Sequence, residues 1–295
     1  MGCSMAKVLS QPHCLNCILM GLLGASAIAA WQLLPDRYMG PYSAWNPHAI
    51  MEFVIAIFSI SLFGDLAVHF LGPRYGLPLA GLVGGFASST ATIHTMGLNA
   101  KSQPHFADRA ALGGVLSNLA TLVQLCVLVQ LLAPNLLASI IQPMCFGMAG
   151  MLIYTAWVIT STQSFPSTTG EAQEALSFKW KSLLTLTAIV CGVSFVSAAL
   201  NEAYGQGGLF LGAALSGLVD AHAMVPSVAS LLSRQKLMPN EALMAILIAL
   251  TANTMTKSLI AFQSGGYMYA RKVSGGVWAT TAAVWLGYCL GRIES

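Results

Sequence analysis

Asp220, His222 and Lys257 are the residues whose chemistry stands out, because each lies inside sequence that is otherwise apolar. An aspartate at membrane depth costs at least about 2.5 kcal/mol on insertion scales, so it is normally paired, turned to a cavity or put to use. His222, two residues on, suits metal binding or a proton relay, although two ligands fall short of a metal site and a histidine in such a place is also an ordinary hydrogen-bonded interior residue. Lys257 follows Asn253 by one helical turn and shares its face. It either neutralises Asp220 as scaffolding, reaches the interface along its aliphatic stem, or acts with Asp220 as a coupling site.

These residues sit in runs with a recognisable pattern. One run passes from glycine and aliphatic residues into Ser88-Ser89-Thr90-Ala-Thr92, and another passes into Asp220-Ala-His222-Ala-Met-Val-Pro226-Ser227. Glycine, proline and hydroxyl clusters are what an interrupted membrane helix needs, since the freed backbone groups require small neighbours and nearby donors. Half-helix ends then aim partial charge at a bound ion or solute. Gly76–Ala91 aligns without gaps on Gly208–Ala223, and each run leads through a basic loop to a helix bearing an asparagine, Asn118 in the first and Asn253 in the second. Duplication accounts for this order better than the narrow membrane alphabet does. Full crossings would make the halves parallel, and re-entrant glycine-rich runs would make them inverted.

Composition fixes the solvent. The 295 residues are 56% hydrophobic and 8% charged, with a mean hydropathy of +0.71, against roughly 25% charged in soluble domains. Runs long enough to span about 30 Å of hydrocarbon fall near Leu15–Leu34, Ala49–Leu71, Gly76–Leu98, Ala110–Leu132, Leu136–Ile159, Leu183–Ala203, Gly208–Leu232, Ala242–Phe262 and Val273–Leu290. The expectation is therefore an all-α polytopic membrane protein of about nine transmembrane helices in two homologous repeats, each with a glycine-rich broken or re-entrant helix. Residues 1–44 form an N-terminal helix and loop, 45–170 the first repeat and 171–295 the second. No charge falls between Arg109 and Glu171, so Pro134-Asn135 marks a tight hairpin.

The first run contains Ala25-Ser-Ala27, which resembles a signal-peptide cleavage site, but it continues apolar to Leu34 and reads as a retained helix. His13-Cys14 and Cys17 have metal or redox spacing without further ligands. Cys126, Cys145, Cys191 and Cys289 lie in apolar runs, where a lone thiol is usually a small buried hydrophobe. Asp65 and His69 read as approaching the headgroup level, and Glu52 as solvated near its helix start. If every run crosses, Arg37, Lys101, Arg109, Lys179, Lys181, Arg234, Lys236 and Arg292 share one side, with Lys7, Arg74, Arg271 and Lys272 opposite. The richer side is then cytoplasmic, which places the C-terminus inside. The scattered basic residues form no phosphate-binding patch, so nucleic acid is not an expected partner.

Gly85-Phe-Ala-Ser-Ser-Thr-Ala-Thr92, Gly217-Leu-Val-Asp-Ala-His-Ala223 and Ala252-Asn-Thr-Met-Thr-Lys257 together resemble the membrane domain of unknown function 4010, often found as the C-terminal half of MgtC/SapB-type bacterial proteins. The likeness runs from about Trp45 to Leu290 and implies a stand-alone, multi-pass protein of a bacterial inner membrane. His222 stands where the family pattern has a second acid.

Function follows from the polar residues. The leading expectation is a transporter or channel for a small ion or solute, with Asp220, His222, Ser88, Ser89, Thr90, Asn118, Asn253, Lys257 and Ser227 around a central polar site, no cofactor, and the lipid bilayer as the standing partner. The alternative is a regulatory or sensor subunit that moves nothing, and the small-residue faces would also suit a homo-oligomer. An intramembrane enzyme is disfavoured by the lack of a His-Glu-x-x-His, Gly-x-Ser-x-Gly or Gly-x-Gly-Asp motif.

Overall fold

A computed structural model describes residue 26 and residues 28–71, 76–161 and 180–294. They form seven long or medium helices: α1 (Pro47–Leu71), α2 (Gly76–Ser102), α3 (Ala107–Leu132), α4 (Leu137–Ser161), α5 (Trp180–Val219), α6 (Met224–Ser233) and α7 (Pro239–Glu294). Five helical stretches among the described residues are long and apolar enough to cross a membrane: Pro47–Gly64, Pro104–Leu132, Pro134–Thr160, Thr187–Val219 and Pro239–Ile293. The chain is thus an all-α, multi-pass membrane protein. Large apolar side chains such as Ile153, Trp157, Leu211 and Leu259 stay exposed on its outer faces, where lipid is their natural neighbour.

Local chemistry sets the helix starts. Asn46 Oδ1 accepts from the backbone N–H groups of His48 and Ala49, capping α1 ahead of a proline at its first position. At α7, Glu241 reaches back to accept the Met238 N–H at 2.9 Å. Pro104 and Pro134 open the one-turn 3-10 links on either side of α3, and the second link is the turn of the tight α3–α4 hairpin that the charge-free stretch predicts.

Three elements turn back within their own length. Gly205 (φ 57) and Gly266 (φ 72) take backbone conformations that L side chains rarely adopt. Past Gly205, Gly212 returns to lie against Ser197. Past Gly266, Thr281 bonds Thr254 at 2.8 Å and Trp285 bonds Thr251 at 2.9 Å. α5 and α7 are therefore each an antiparallel helix pair. α2 reverses at Ser88, whose backbone is extended (φ −168, ψ 110). Gly84 faces Thr92 across that reversal, and Leu77 and Met96, on opposite limbs, both pack on Gly113.

These contacts give the bundle two ends. At one, Arg234 donates to the carbonyls of Tyr42 and Ser43, Lys236 pairs with Glu202 at 2.7 Å, and Gly291 meets Gln142. At the other, Lys272 pairs with Asp108 at 2.6 Å and Gly97 lies against Ser264. Both limbs of α2 open toward the Lys272 end. The second half of α5 and α6 open toward the Arg234 end, since Ser233 bonds Tyr38 at 2.7 Å and α6 leads directly to Arg234.

The assumption that every apolar run crosses fully is thereby corrected. Because α2 folds back, Lys101 and Arg109 share an end with Lys181, Arg271 and Lys272, opposite Arg37, Arg234, Lys236 and Arg292. Among the described cations the charge bias that oriented the chain disappears. Two expected buried thiols are also corrected: Cys145 and Cys289 are exposed, while Cys126 and Cys191 are intermediate. A sulfur is apolar enough to face lipid as readily as a core. The run Leu15–Leu34 lies mostly outside the described residues, as do His13, Cys14, Cys17 and the side chains of Asp65 and His69.

Candidate functional site

The reversal in α2 exposes backbone groups that neighbouring side chains satisfy. Ser88 Oγ accepts from Ala91 N–H at 3.3 Å, which makes it the N-cap of the returning limb. Gln124 of α3 donates to the carbonyl of Phe86 at 3.0 Å, and Ser61 of α1 reaches the carbonyl of Ala87 at 3.5 Å. Gly85 permits the approach: a Cβ there would stand 2.7 Å from the Ser117 Cα.

The second break is built alike. α5 ends at Val219 and α6 starts at Met224. Thr256 of α7 donates to the carbonyl of Leu218 at 2.9 Å, and a Cβ on Gly217 would stand 2.7 Å from the Ala249 Cα. Between the two helices Asp220 Oδ1 accepts from the His222 N–H at 2.8 Å and lies 2.7 Å from His222 Nδ1. A carboxylate only accepts, so the ring proton sits on Nδ1, and Nε2 is buried without a partner. The Asp220 side chain keeps 32% of its surface accessible, whereas Ala221 to Leu231 beyond it are buried.

Lys257 joins the two breaks. It is 1% exposed, and its ammonium donates to Asn118 Oδ1 at 2.7 Å and Thr121 Oγ1 at 2.9 Å, both on α3. Thr121 passes the chain on to Ser89 Oγ at 2.9 Å, and Ser117 Oγ reaches the Ser89 carbonyl at 3.4 Å. Lys257 and Asp220 are close enough to attract one another but make no direct ion pair, so the scaffold of a simple Lys257–Asp220 bridge is not what the fold builds. Each charge has its own hydrogen-bond partners instead.

Of the residues singled out in the sequence, Ser89, Asn118 and Lys257 share one hydrogen-bond chain, Asp220 and His222 form a second cluster within electrostatic reach of it, and Ser88 caps the half-helix beside Ser89. Asn253 is buried one turn before Lys257 and takes no part in the Lys257 chain. Thr90 is half-buried, and Ser227 is buried on α6, one turn past Ala223. Thr121, Gln124 and Thr256 escaped the sequence reading. Thr121 and Asn118 are three apart on one face of α3, a spacing that does point at the lysine once its partner helix is known.

No group of three or more His, Cys, Asp or Glu capable of holding a metal occurs among the described residues. A family model described as Domain of unknown function (DUF4010) matches residues 55–265, which include both breaks and Lys257. No curated protein and no solved structure matches the chain.

Proposed function

The chain belongs to the DUF4010 family, and we propose that it is a membrane carrier or channel for a small ion or solute, with its central site held between two re-entrant hairpins that enter from opposite faces. The observation that carries this is the convergence on one lysine. Lys257 reaches Ser89 at the tip of α2 through Thr121, while its neighbour Thr256 caps the tip of α5 at Leu218. Two interrupted helices at a midplane polar site are how many secondary transporters hold substrate and coupling ion.

The two halves support an inverted repeat. The Gln124-to-Phe86 and Thr256-to-Leu218 bonds each span 38 residues, and the second lies about 132 residues after the first, the same offset that aligns the glycine-rich runs. Each half, 45–170 and 171–295, then contributes three crossings and one hairpin: α1, α3 and α4 with α2 in the first; the first limb of α5 and both limbs of α7, with the α5–α6 hairpin, in the second. In that register Asn253 answers to Thr121 and not to Asn118. Of the nine apolar runs, six described ones cross, two re-enter, and Leu15–Leu34 stands before the repeat.

The setting that fits the family resemblance is a bacterial inner membrane. Transport is tested by reconstituting purified protein in liposomes and following ion and solute flux; a flux lost in Asp220→Asn is expected. A folded protein that moves no candidate under any gradient overturns the reading and favours a regulatory subunit.

A further inference from the structure

The hydrogen bonds around Lys257 do not balance. A lysine ammonium carries three N–H donors, and two acceptors meet it, Asn118 Oδ1 and Thr121 Oγ1. Because Lys257 can only donate, the Asn118 amide is fixed with its oxygen toward the ammonium. Its Nδ2, which holds two more donors, is buried with no partner. Thr121 gives its proton to Ser89 Oγ, whose own proton meets no acceptor among the described residues. One ammonium proton, the Asn118 amide donors and the Ser89 hydroxyl proton thus meet no acceptor among the described residues, and Ser89 stands in the first turn of the returning limb of α2, a helix start whose peptide dipoles also favour negative charge. Asn118 and Lys257 are each 1% exposed and Ser89 is 7% exposed, so bulk water is not the acceptor.

The acid half of the site differs, its one unanswered buried atom among the described residues being an acceptor, His222 Nε2. Asp220 Oδ1 already receives two donors from His222, and the rest of that carboxylate is partly accessible. Around Lys257, an acceptor would find an ammonium, an amide and a hydroxyl waiting. The chemistry missing from the fold is that of an anion.

We propose that Lys257, Asn118 and Ser89, at the tip of the α2 hairpin, bind a small monovalent anion, and that this anion is the substrate class of the site. One ammonium supplies the positive charge and Asp220 lies close enough to offset part of it, which disfavours a divalent oxyanion. Burial of all three donors limits the ligand to a few heavy atoms, such as a halide, nitrate or formate. The second clause rests on the transport reading; binding itself does not.

The test is thermal melting of the purified full chain in detergent, titrated with sodium chloride, sodium nitrate or sodium formate against sodium gluconate at constant ionic strength, and repeated with choline salts. A saturable rise of about 4 °C or more is expected with at least one small anion, whichever cation accompanies it. Chloride alone would mark a halide site, formate alone a carboxylate site, and all three a site selected by size. The rise should vanish in Lys257→Met. It should also vanish in Asn118→Asp, which keeps the side chain's shape and supplies a negative acceptor beside the ammonium. A wild type that no small anion shifts, or variants that keep the full shift, overturn the inference. Flux of a cation without an anion shift would overturn this site and leave transport standing, whereas an anion shift without any flux would overturn transport and support the site.

Discussion

Replacing Gly217 by alanine places a methyl group against the carbonyl of Ala249, in a gap where the Cβ would stand only 2.7 Å from the Ala249 Cα. Both contacting atoms belong to backbone, α5 on one side and α7 on the other, so no side-chain rotamer can relieve the overlap. One helix must move by more than half an ångström to restore ordinary contact, and inserting a methylene into such packing costs about 1–3 kcal/mol. Gly192 makes a matched control. It lies in the first limb of α5 with no atom within 4 Å of its would-be Cβ, and alanine there gains about 0.5–1 kcal/mol of helix propensity. The two substitutions are chemically identical and 25 residues apart on one element, so the propensity gain is common to both, and the packing cost alone should separate them by about 1–3 kcal/mol. In a detergent melt that separation corresponds to about 2–6 °C. Equal melting temperatures would refute the close approach of the α5 hairpin to α7.

Other consequences are open to simpler assays. With the native cysteines replaced, cysteines at Lys101 and Arg234 should react with a membrane-impermeant thiol reagent from opposite sides of an oriented vesicle, because the two residues lie at opposite ends of the bundle; labelling from one side alone restores four full crossings between them. Gln124→Leu and Thr256→Val each strip the donor from a carbonyl at a helix break, Phe86 and Leu218 respectively. Each should cost about 1–3 kcal/mol, and the double variant should sum the two, since the caps sit on separate hairpins; a unilateral effect would remove the equivalence on which the inverted repeat is argued.

Much of this architecture is readable from residue order because lipid restricts what a chain can do. Once water is excluded, backbone groups must bond within a segment, so apolar length reports helices and Gly-Ser-Thr clusters report the places where helices stop. Both breaks, at Ser88 and at Asp220–Ala223, are visible that way. So is the α3–α4 hairpin, where a charge-free stretch from Arg109 to Glu171 encloses a single Pro-Asn turn. Direction was not legible. A glycine-rich run of 27 residues such as α2 is long enough to cross and equally able to fold back, and composition is the same in both cases. Lys272 reports the outcome only through Asp108, 164 positions away in the chain, and an ion pair of that kind leaves no local trace. The basic-residue count, which depends on direction, failed with it.

The site divides along the same line. Residue types alone marked Asp220, His222, Ser89, Asn118 and Lys257, since a polar group in hydrocarbon is expensive wherever it ends up. Which groups meet was decided by the crossing of α3 and α7. Lys257 pairs with Asn118 and Thr121 instead of Asp220, and Asp220 turns to His222. The sequence by itself determined a membrane bundle with two polar interruptions, because burial energy and backbone hydrogen bonding act locally along the chain. Tertiary structure decided that the interruptions enter from opposite ends and leave a set of donors unanswered, because hydrogen-bond partners across helices are chosen by packing, which depends on residues far apart in order.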